Sequence, residues 1–181
     1  ATEFSKDSGR SEMQLAVEAV MSALNDAGIE PSEVDGMSTY TMDNNPEIEV
    51  HRLIGGKELK FFSRAHYGGG AACAPVLHGA MAIASGLCDV VVVYRAMNER
   101  SAYRFGQGNA SAAMDPNAFE SANFGWYFPY GLMTPASWVA MCAQRYLYEH
   151  GATTEDYGHI SVACRDFAAT NPAAWFYEKP I

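Results

Sequence analysis

Three consecutive glycines, Gly68-Gly69-Gly70, stand between an apolar segment and a run of small residues, Ala71-Ala72-Cys73. A turn that opens into a helix points free backbone N–H groups, and the positive end of the helix dipole, at whatever lies before it. Such a turn can hold an oxyanion, a phosphate or a nucleophile. As a nucleotide motif it is weak, because it lacks both the Lys-Ser/Thr ending of a Walker loop and the GxGxxG spacing of a dinucleotide fold. As a place of close backbone approach it is strong. Three glycines inside a buried segment sacrifice stability, so something comes near them, either a ligand or a neighbouring subunit. Cys73 is the nearest nucleophile, but a nucleophilic thiol needs a base close in space. His78 lies five residues on, about 140° around a helix, and does not share its face. Cys73 therefore reads as a buried packing thiol. Downstream, Arg95-Ala96-Met97-Asn98-Glu99-Arg100-Ser101 follows a buried strand. It either lines a site at the carboxyl end of a parallel strand or forms a solvated loop with a local ion pair. His66, Tyr67 and Tyr130 could supply protons or hydrogen bonds.

These residues need elements to hold them. Ser11 to Asn25 has an apolar stripe of Leu15, Val17, Ala19, Val20 and Leu24, and Gly28 suits a helix C-terminus. A short turn at Pro31-Ser32-Glu33 leads to a strand over Met37–Thr41. A helix over Ile48–Leu53 stops at Gly55-Gly56, and Leu59–Ala65 is a strand. The helix after the glycines runs to about Ser85. Asp89–Tyr94 is an almost unbroken β-branched run, which predicts a strand buried on both faces of a parallel sheet. Helix and strand alternate, the pattern of a layered α/β protein with right-handed crossovers. From Asn98 to Met133 periodicity fades, and Phe105, Phe119, Phe124, Trp126, Tyr127, Phe128 and Tyr130 recur among small residues. A stretch that long is either an ordered cover over something apolar or a surface for a partner subunit. Two helices end the chain, over Pro135–His150 and from Thr153-Thr154-Glu155-Asp156 to Asn171-Pro172.

The bulk properties exclude several classes. With 181 residues, 49% hydrophobic and 18% charged, the chain is long and apolar enough for a real core. A net charge of −9 argues against a general nucleic-acid binder, which needs Lys and Arg on phosphates. No apolar run approaches the roughly 20 residues that span a bilayer. The opening Ala1-Thr2-Glu3-Phe4 is polar and acidic, unlike a secretory leader. Cys73, Cys88, Cys142 and Cys164 show no metal spacing and read as reduced, buried thiols of a cytoplasmic protein.

The run from Tyr67 through Gly86-Leu87-Cys88-Asp89-Val90-Val91-Val92-Val93 resembles the N-terminal half of the thiolase superfamily, in its sterol-carrier-protein-thiolase branch. Met97-Asn98-Glu99-Arg100-Ser101 resembles the Glu-Asn-Met-Ser loop of that family. Tyr146-Leu147-Tyr148-Glu149-His150-Gly151-Ala152-Thr153-Thr154-Glu155, and the stretch to Asn171-Pro172-Ala173-Ala174, are similar to the same branch. The likeness covers nearly the whole chain. It departs at one decisive place: counting back from Asp89, the position of the thiolase cysteine falls on Gly69. Without that thiol no acyl-cysteine can form. The form Tyr-Gly-Gly-Gly-Ala-Ala-Cys resembles the bacterial lipid-transfer-protein group of thiolase-like aldolases.

The resemblance implies a thiolase-like layered α/β/α/β/α fold, of which residues 1–181 form the N-terminal half, with a cover loop near 98–134 and the C-terminal half absent. It implies a lyase that cleaves a bulky, steroid-side-chain β-hydroxyacyl-CoA by retro-aldol reaction. The alternatives are a thiolase or acyl-CoA acyltransferase with a displaced cysteine, and a non-catalytic acyl-CoA-binding scaffold. Tyr67, Gly68, Gly69, Gly70, Asn98 and Tyr130 would line the substrate. The acid and base are expected in the missing half. No cofactor or metal is implied beyond the coenzyme A thioester that is the substrate. The implied partners are a second copy, paired through the Lys60–Ala65 strand, and a protein carrying a DUF35 domain; nucleic acid and membrane are not expected.

Overall fold

The computed structural model describes residues 1–40, 45–65, 68–98 and 125–181. The chain divides into two units, Ala1–Tyr103 and Arg104–Ile181.

In the first unit, Ser11 opens helix α1 (Glu12–Ala27) with a capping box: its hydroxyl accepts from the Gln14 amide, and the Gln14 side chain accepts from the Ser11 amide. Gly28, at φ 68°, closes it in the left-handed conformation that glycine adopts without strain. A 3-10 turn at Pro31–Glu33 leads into β1 (Gly36–Tyr40). Helix α2 (Glu47–Ile54) follows, then β2 (Phe61–Ala65), a 3-10 turn over Gly68–Ala71, helix α3 (Ala74–Ala84) and β3 (Val91–Val93). The strands form a parallel sheet of order β2-β1-β3, with Gly36 opposite both Phe61 and Val91. On one face, α1 and α2 bury Ala16, Val20, Leu24, Val50 and Ile54 against Met37 and Tyr94. On the other, α3 comes close to the sheet at Gly79, where an added Cβ would stand 3.0 Å from the Val91 side chain.

A buried imidazole locks α2. His51 Nε2–H donates to the Val34 carbonyl at 2.8 Å, and a Cβ on Gly56 would lie 2.2 Å from that nitrogen. The ring is 2% exposed and hydrogen-bonded, so giving way would cost it that bond. Gly56→Ala is therefore expected to cost about 2–3 kcal/mol, the loss of a buried hydrogen bond plus overpacking, read as a lower midpoint in urea denaturation.

In the second unit, Thr134 caps α4 (Pro135–His150) and Gly151 ends it at φ 63°. Thr153 and Asp156 form the capping box of α5 (Thr154–Thr170). The Trp138 indole N–H donates to the Leu132 carbonyl at 2.8 Å, and the Tyr157 hydroxyl to the Ala143 carbonyl at 3.2 Å. Neither helix buries a residue fully within the chain. Among the described residues, no helix is long and apolar enough to cross a membrane.

Three expectations need correction. The valine run is not buried on both faces: β1 is the central strand, and β3 is a three-residue edge with Val93 41% exposed. The thiols are free, but only Cys88 is buried; Cys73, Cys142 and Cys164 are exposed. Cys142 and Cys164 lie on helices in which no residue is buried. Cys73 is the N-cap of α3 and not a packing residue inside it.

Candidate functional site at the carboxyl edge of the sheet

Because the three strands are parallel, their carboxyl ends share one edge, the usual place for a site in such sheets. Tyr40 ends β1 there. The glycine turn leaves β2 there, and Tyr94 to Asn98 leave β3 there.

This edge is braced. The Tyr94 hydroxyl donates to the Asn45 carbonyl at 2.6 Å, and Arg64 Nη2 donates to the same carbonyl at 3.4 Å. Arg64 also grips Glu47 with two contacts, Nε–Oε1 at 3.0 Å and Nη2–Oε2 at 3.2 Å, where the carboxylate sits in the first turn of α2 and meets its positive end. The Arg95 guanidinium lies 4.1 Å from the centroid of the Tyr40 ring, and its Nη1 donates to the Tyr40 hydroxyl.

The amino edge is held by a different device. Asp35 is 8% exposed. Its carboxylate accepts from the Asp89 amide at 3.0 Å and the Val90 amide at 2.8 Å, and from Lys60 Nζ at 3.0 Å. One buried side chain thus ties β1 to the segments entering β2 and β3. Burial alone would raise its pKa; the Val90 amide, Lys60 and the Asp89 amide outweigh that and hold it below the usual carboxylate range. Burial, helped by the Asp35 and Asp89 carboxylates, pushes the neighbouring Cys88 thiol up, so it stays protonated.

Gly68, Gly69 and Gly70 form a single 3-10 turn directly before α3. Gly70 is exposed, contrary to the expected buried segment, and a Cβ there would meet nothing within 4 Å. Its φ is not in the left-handed region, so among the described residues neither conformation nor space demands glycine. His78 turns from Cys73 toward the sheet, where its Nδ1 meets the Ser63 hydroxyl at 2.6 Å. Asn98 donates its side-chain N–H to the Arg10 carbonyl at 2.9 Å, and its backbone N–H to Glu12 Oε1 at 3.2 Å. Tyr130 belongs to the second unit, in a 3-10 turn over Phe128–Tyr130, and is 79% exposed. Tyr67, His66, and the cover-loop aromatics Phe105, Phe119 and Phe124 lie outside the described residues.

Sequence reasoning missed Asp35, Arg10, Glu12 and Tyr40. Each meets a partner between 25 and 88 positions away, the longest being Arg10 with Asn98. Spacing along the chain carries no trace of such contacts.

No family model matches the chain. It is 60% identical, over all 181 residues, to the steroid side-chain-cleaving aldolase of Thermomonospora curvata, covering 46% of that protein. It is 56% identical to the 17-hydroxy-3-oxo-4-pregnene-20-carboxyl-CoA lyase of Mycobacterium tuberculosis, covering 47% of it. The solved Ltp2-ChsH2(DUF35) aldolase superposes on 99% of the chain with a TM-score of 0.87 and 57% identity, over 44% of that structure's chain. At 29% identity, an acetyl-CoA acetyltransferase of Methanothermobacter thermautotrophicus aligns with 91% of the chain. The fold class is therefore the expected thiolase-like α/β one. The chain spans a little under half the length of these relatives.

Proposed function

We propose that this chain is the N-terminal half of a thiolase-like aldolase that splits a bulky, steroid-side-chain β-hydroxyacyl-CoA by retro-aldol cleavage. The observation that carries the reading is identity of 60% and 56%, over the whole chain, to proteins named as side-chain-cleaving aldolase and CoA lyase. The glycine turn supports it. Gly69 stands where thiolases place their cysteine, and cleavage without an acyl-enzyme needs no thiol.

In the reaction a base takes the β-hydroxyl proton, the bond between the α and β carbons breaks, and the electron pair passes to the thioester enolate, which is then protonated. The products are a ketone and a shortened acyl-CoA. In this reading Gly68, Gly69 and Gly70 line the thioester at the carboxyl edge of the sheet, and Tyr67, Tyr130 and the cover loop are further substrate-binding candidates. The acid and base come from the remainder of the protein. Helix α3 favours such a remainder: Val76, Leu77 and Met81 are exposed on it, yet a helix apolar on all sides is a buried helix. A homodimer through Lys60–Ala65 fits β2, which among the described residues is an edge strand with Phe62 68% exposed. A DUF35-domain partner follows from the composition of the similar solved complex. The site of action is the cytoplasm, and no cofactor is used.

The test is to incubate the full-length protein and its DUF35 partner with steroid-side-chain β-hydroxyacyl-CoA and to look for ketone plus shortened acyl-CoA. No product across several bulky substrates would favour a scaffold. One observation favours an acyltransferase instead: Cys73 is an exposed, free thiol at the N-cap position of α3, directly after the glycine turn. Cys73→Ala is expected to keep kcat within about twofold, since the aldolase forms no covalent intermediate. Loss of turnover, matched by iodoacetamide inactivation of the unmodified protein, would transfer the reaction to that thiol.

A further inference from the structure

The head of α1 and the exit of β3 are joined, although 86 positions separate Glu12 from Asn98. Asn98 places two N–H bonds on that junction. Its side chain donates to the Arg10 carbonyl, and its backbone N–H to the Glu12 carboxylate. Arg10 is itself fixed: its guanidinium is clamped between Glu3 and Glu18, and its side chain is 21% exposed. Ser11, between the two acceptors, is the N-cap of α1. The junction thus rests on a capped helix whose stripe of Ala16, Val20 and Leu24 is in the core. It has no slack at its base.

We propose that Asn98 is a positioning residue, with the Arg10 carbonyl and the Glu12 carboxylate as its anchor, so that the first helix fixes where the chain leaves the carboxyl edge after β3. This rests on the aldolase reading for its catalytic consequence, because that edge also carries the glycine turn. It departs from the expectation that Asn98 lines the substrate: an amide that donates to a backbone carbonyl holds the chain. Arg95 lies three residues before Asn98 and stacks on Tyr40, so a loosened exit would also disturb the last side chain of β1. Glu12 is the informative partner, since it sits in the first turn of α1 and its carboxylate accepts the Asn98 backbone N–H.

The experiment is a double-mutant cycle in the full-length protein with its partner. Asn98→Ala and Glu12→Ala are each expected to lower kcat about tenfold, with KM changed less than twofold, as loss of alignment does. Asn98→Ala removes the bond to the Arg10 carbonyl and Glu12→Ala the bond from the Asn98 backbone N–H; because both bonds hold one junction, the double variant should lose clearly less than the product of the two single losses. Glu12→Gln, which keeps an acceptor oxygen, should recover most of the loss. Additive effects, or a rise in KM confined to Asn98→Ala with Glu12→Ala silent, would overturn the proposal and make Asn98 a substrate contact. Hydrogen exchange without substrate separates this from the aldolase reading. The Asn98 amide should exchange slowly in the unmodified protein and at least tenfold faster in Glu12→Ala. Unchanged exchange would remove the anchor whatever the activity. Normal exchange behaviour in a protein that cleaves no β-hydroxyacyl-CoA would sink the aldolase reading and leave the anchor standing.

Discussion

Asp35→Asn is expected to lower stability by about 2–4 kcal/mol, the scale of losing charge-assisted hydrogen bonds in a buried setting. The replacement has nearly the same shape, so packing is preserved and only charge and one acceptor are removed. Its new NH2 would face either the Asp89 and Val90 amides or the Lys60 ammonium, all of them donors. Strands β2 and β3 do not pair with each other; both pair with β1. Asp35 is where the three converge, with its carbonyl also accepting from the Lys60 and Phe61 amides. Thermal unfolding should show a midpoint roughly 5–10 °C lower. A shift below 1 °C would mean that the carboxylate does not tie the strands in solution.

The same residue gives a pH signature. Its folded pKa lies below the unfolded carboxylate value, so the folded state favours the charged form. The contribution is fully present above the unfolded pKa of about 3.9 and is lost as pH falls through that value toward the folded pKa. The stability gap between the unmodified protein and Asp35→Asn should therefore be constant from pH 7 to about 5 and shrink below it. A gap that widens on acidification would reverse the sign and refute the assignment.

How much of this was legible in the sequence depends on the range of the contact. Caps and stops are local: Ser11, Gly28, Thr134, Gly151 and Thr153 sit at the helix ends their types predict. Strand existence was legible from apolar runs, but strand rank was not. The Asp89–Tyr94 run reads as central because it is the most β-branched, yet Gly36–Tyr40, with a glycine and three hydroxyl-bearing residues, is the buried middle strand. Its burial follows from having neighbours on both sides, a property of topology that its own composition does not encode. The glycine turn was legible as unusual, and its reading as an emptied nucleophile position came from resemblance, because a missing side chain leaves no chemistry to read. The bracing at Asn45, Arg64 and Asn98 was invisible, since each bond joins residues distant in the chain, often through a carbonyl that every residue has.

Gly70→Phe is the sharpest test of that turn. Glycine is normally kept for a left-handed φ or for want of space, and Gly70 shows neither need among the described residues. An added side chain would project into open space, so Gly70→Phe should leave the folding of the first unit within about 0.5 kcal/mol, as surface substitutions usually do. If the turn lines the thioester, the ring would occupy the substrate's place. Turnover of a bulky β-hydroxyacyl-CoA should then fall by at least about a hundredfold, the scale of a displacement of roughly 1 Å at a reacting centre. Gly70→Ala should fall between, and the loss should grow with the acyl group for either variant, because a methyl and a ring exclude successively smaller substrates. Full turnover by Gly70→Phe, with unfolding unchanged, would place the reacting thioester elsewhere. Loss of stability equal to the loss of turnover would instead mean that the remainder of the protein packs on Gly70. The two readings of the glycines, close approach of a ligand or close approach of protein, are thus separated by one substitution read in two ways.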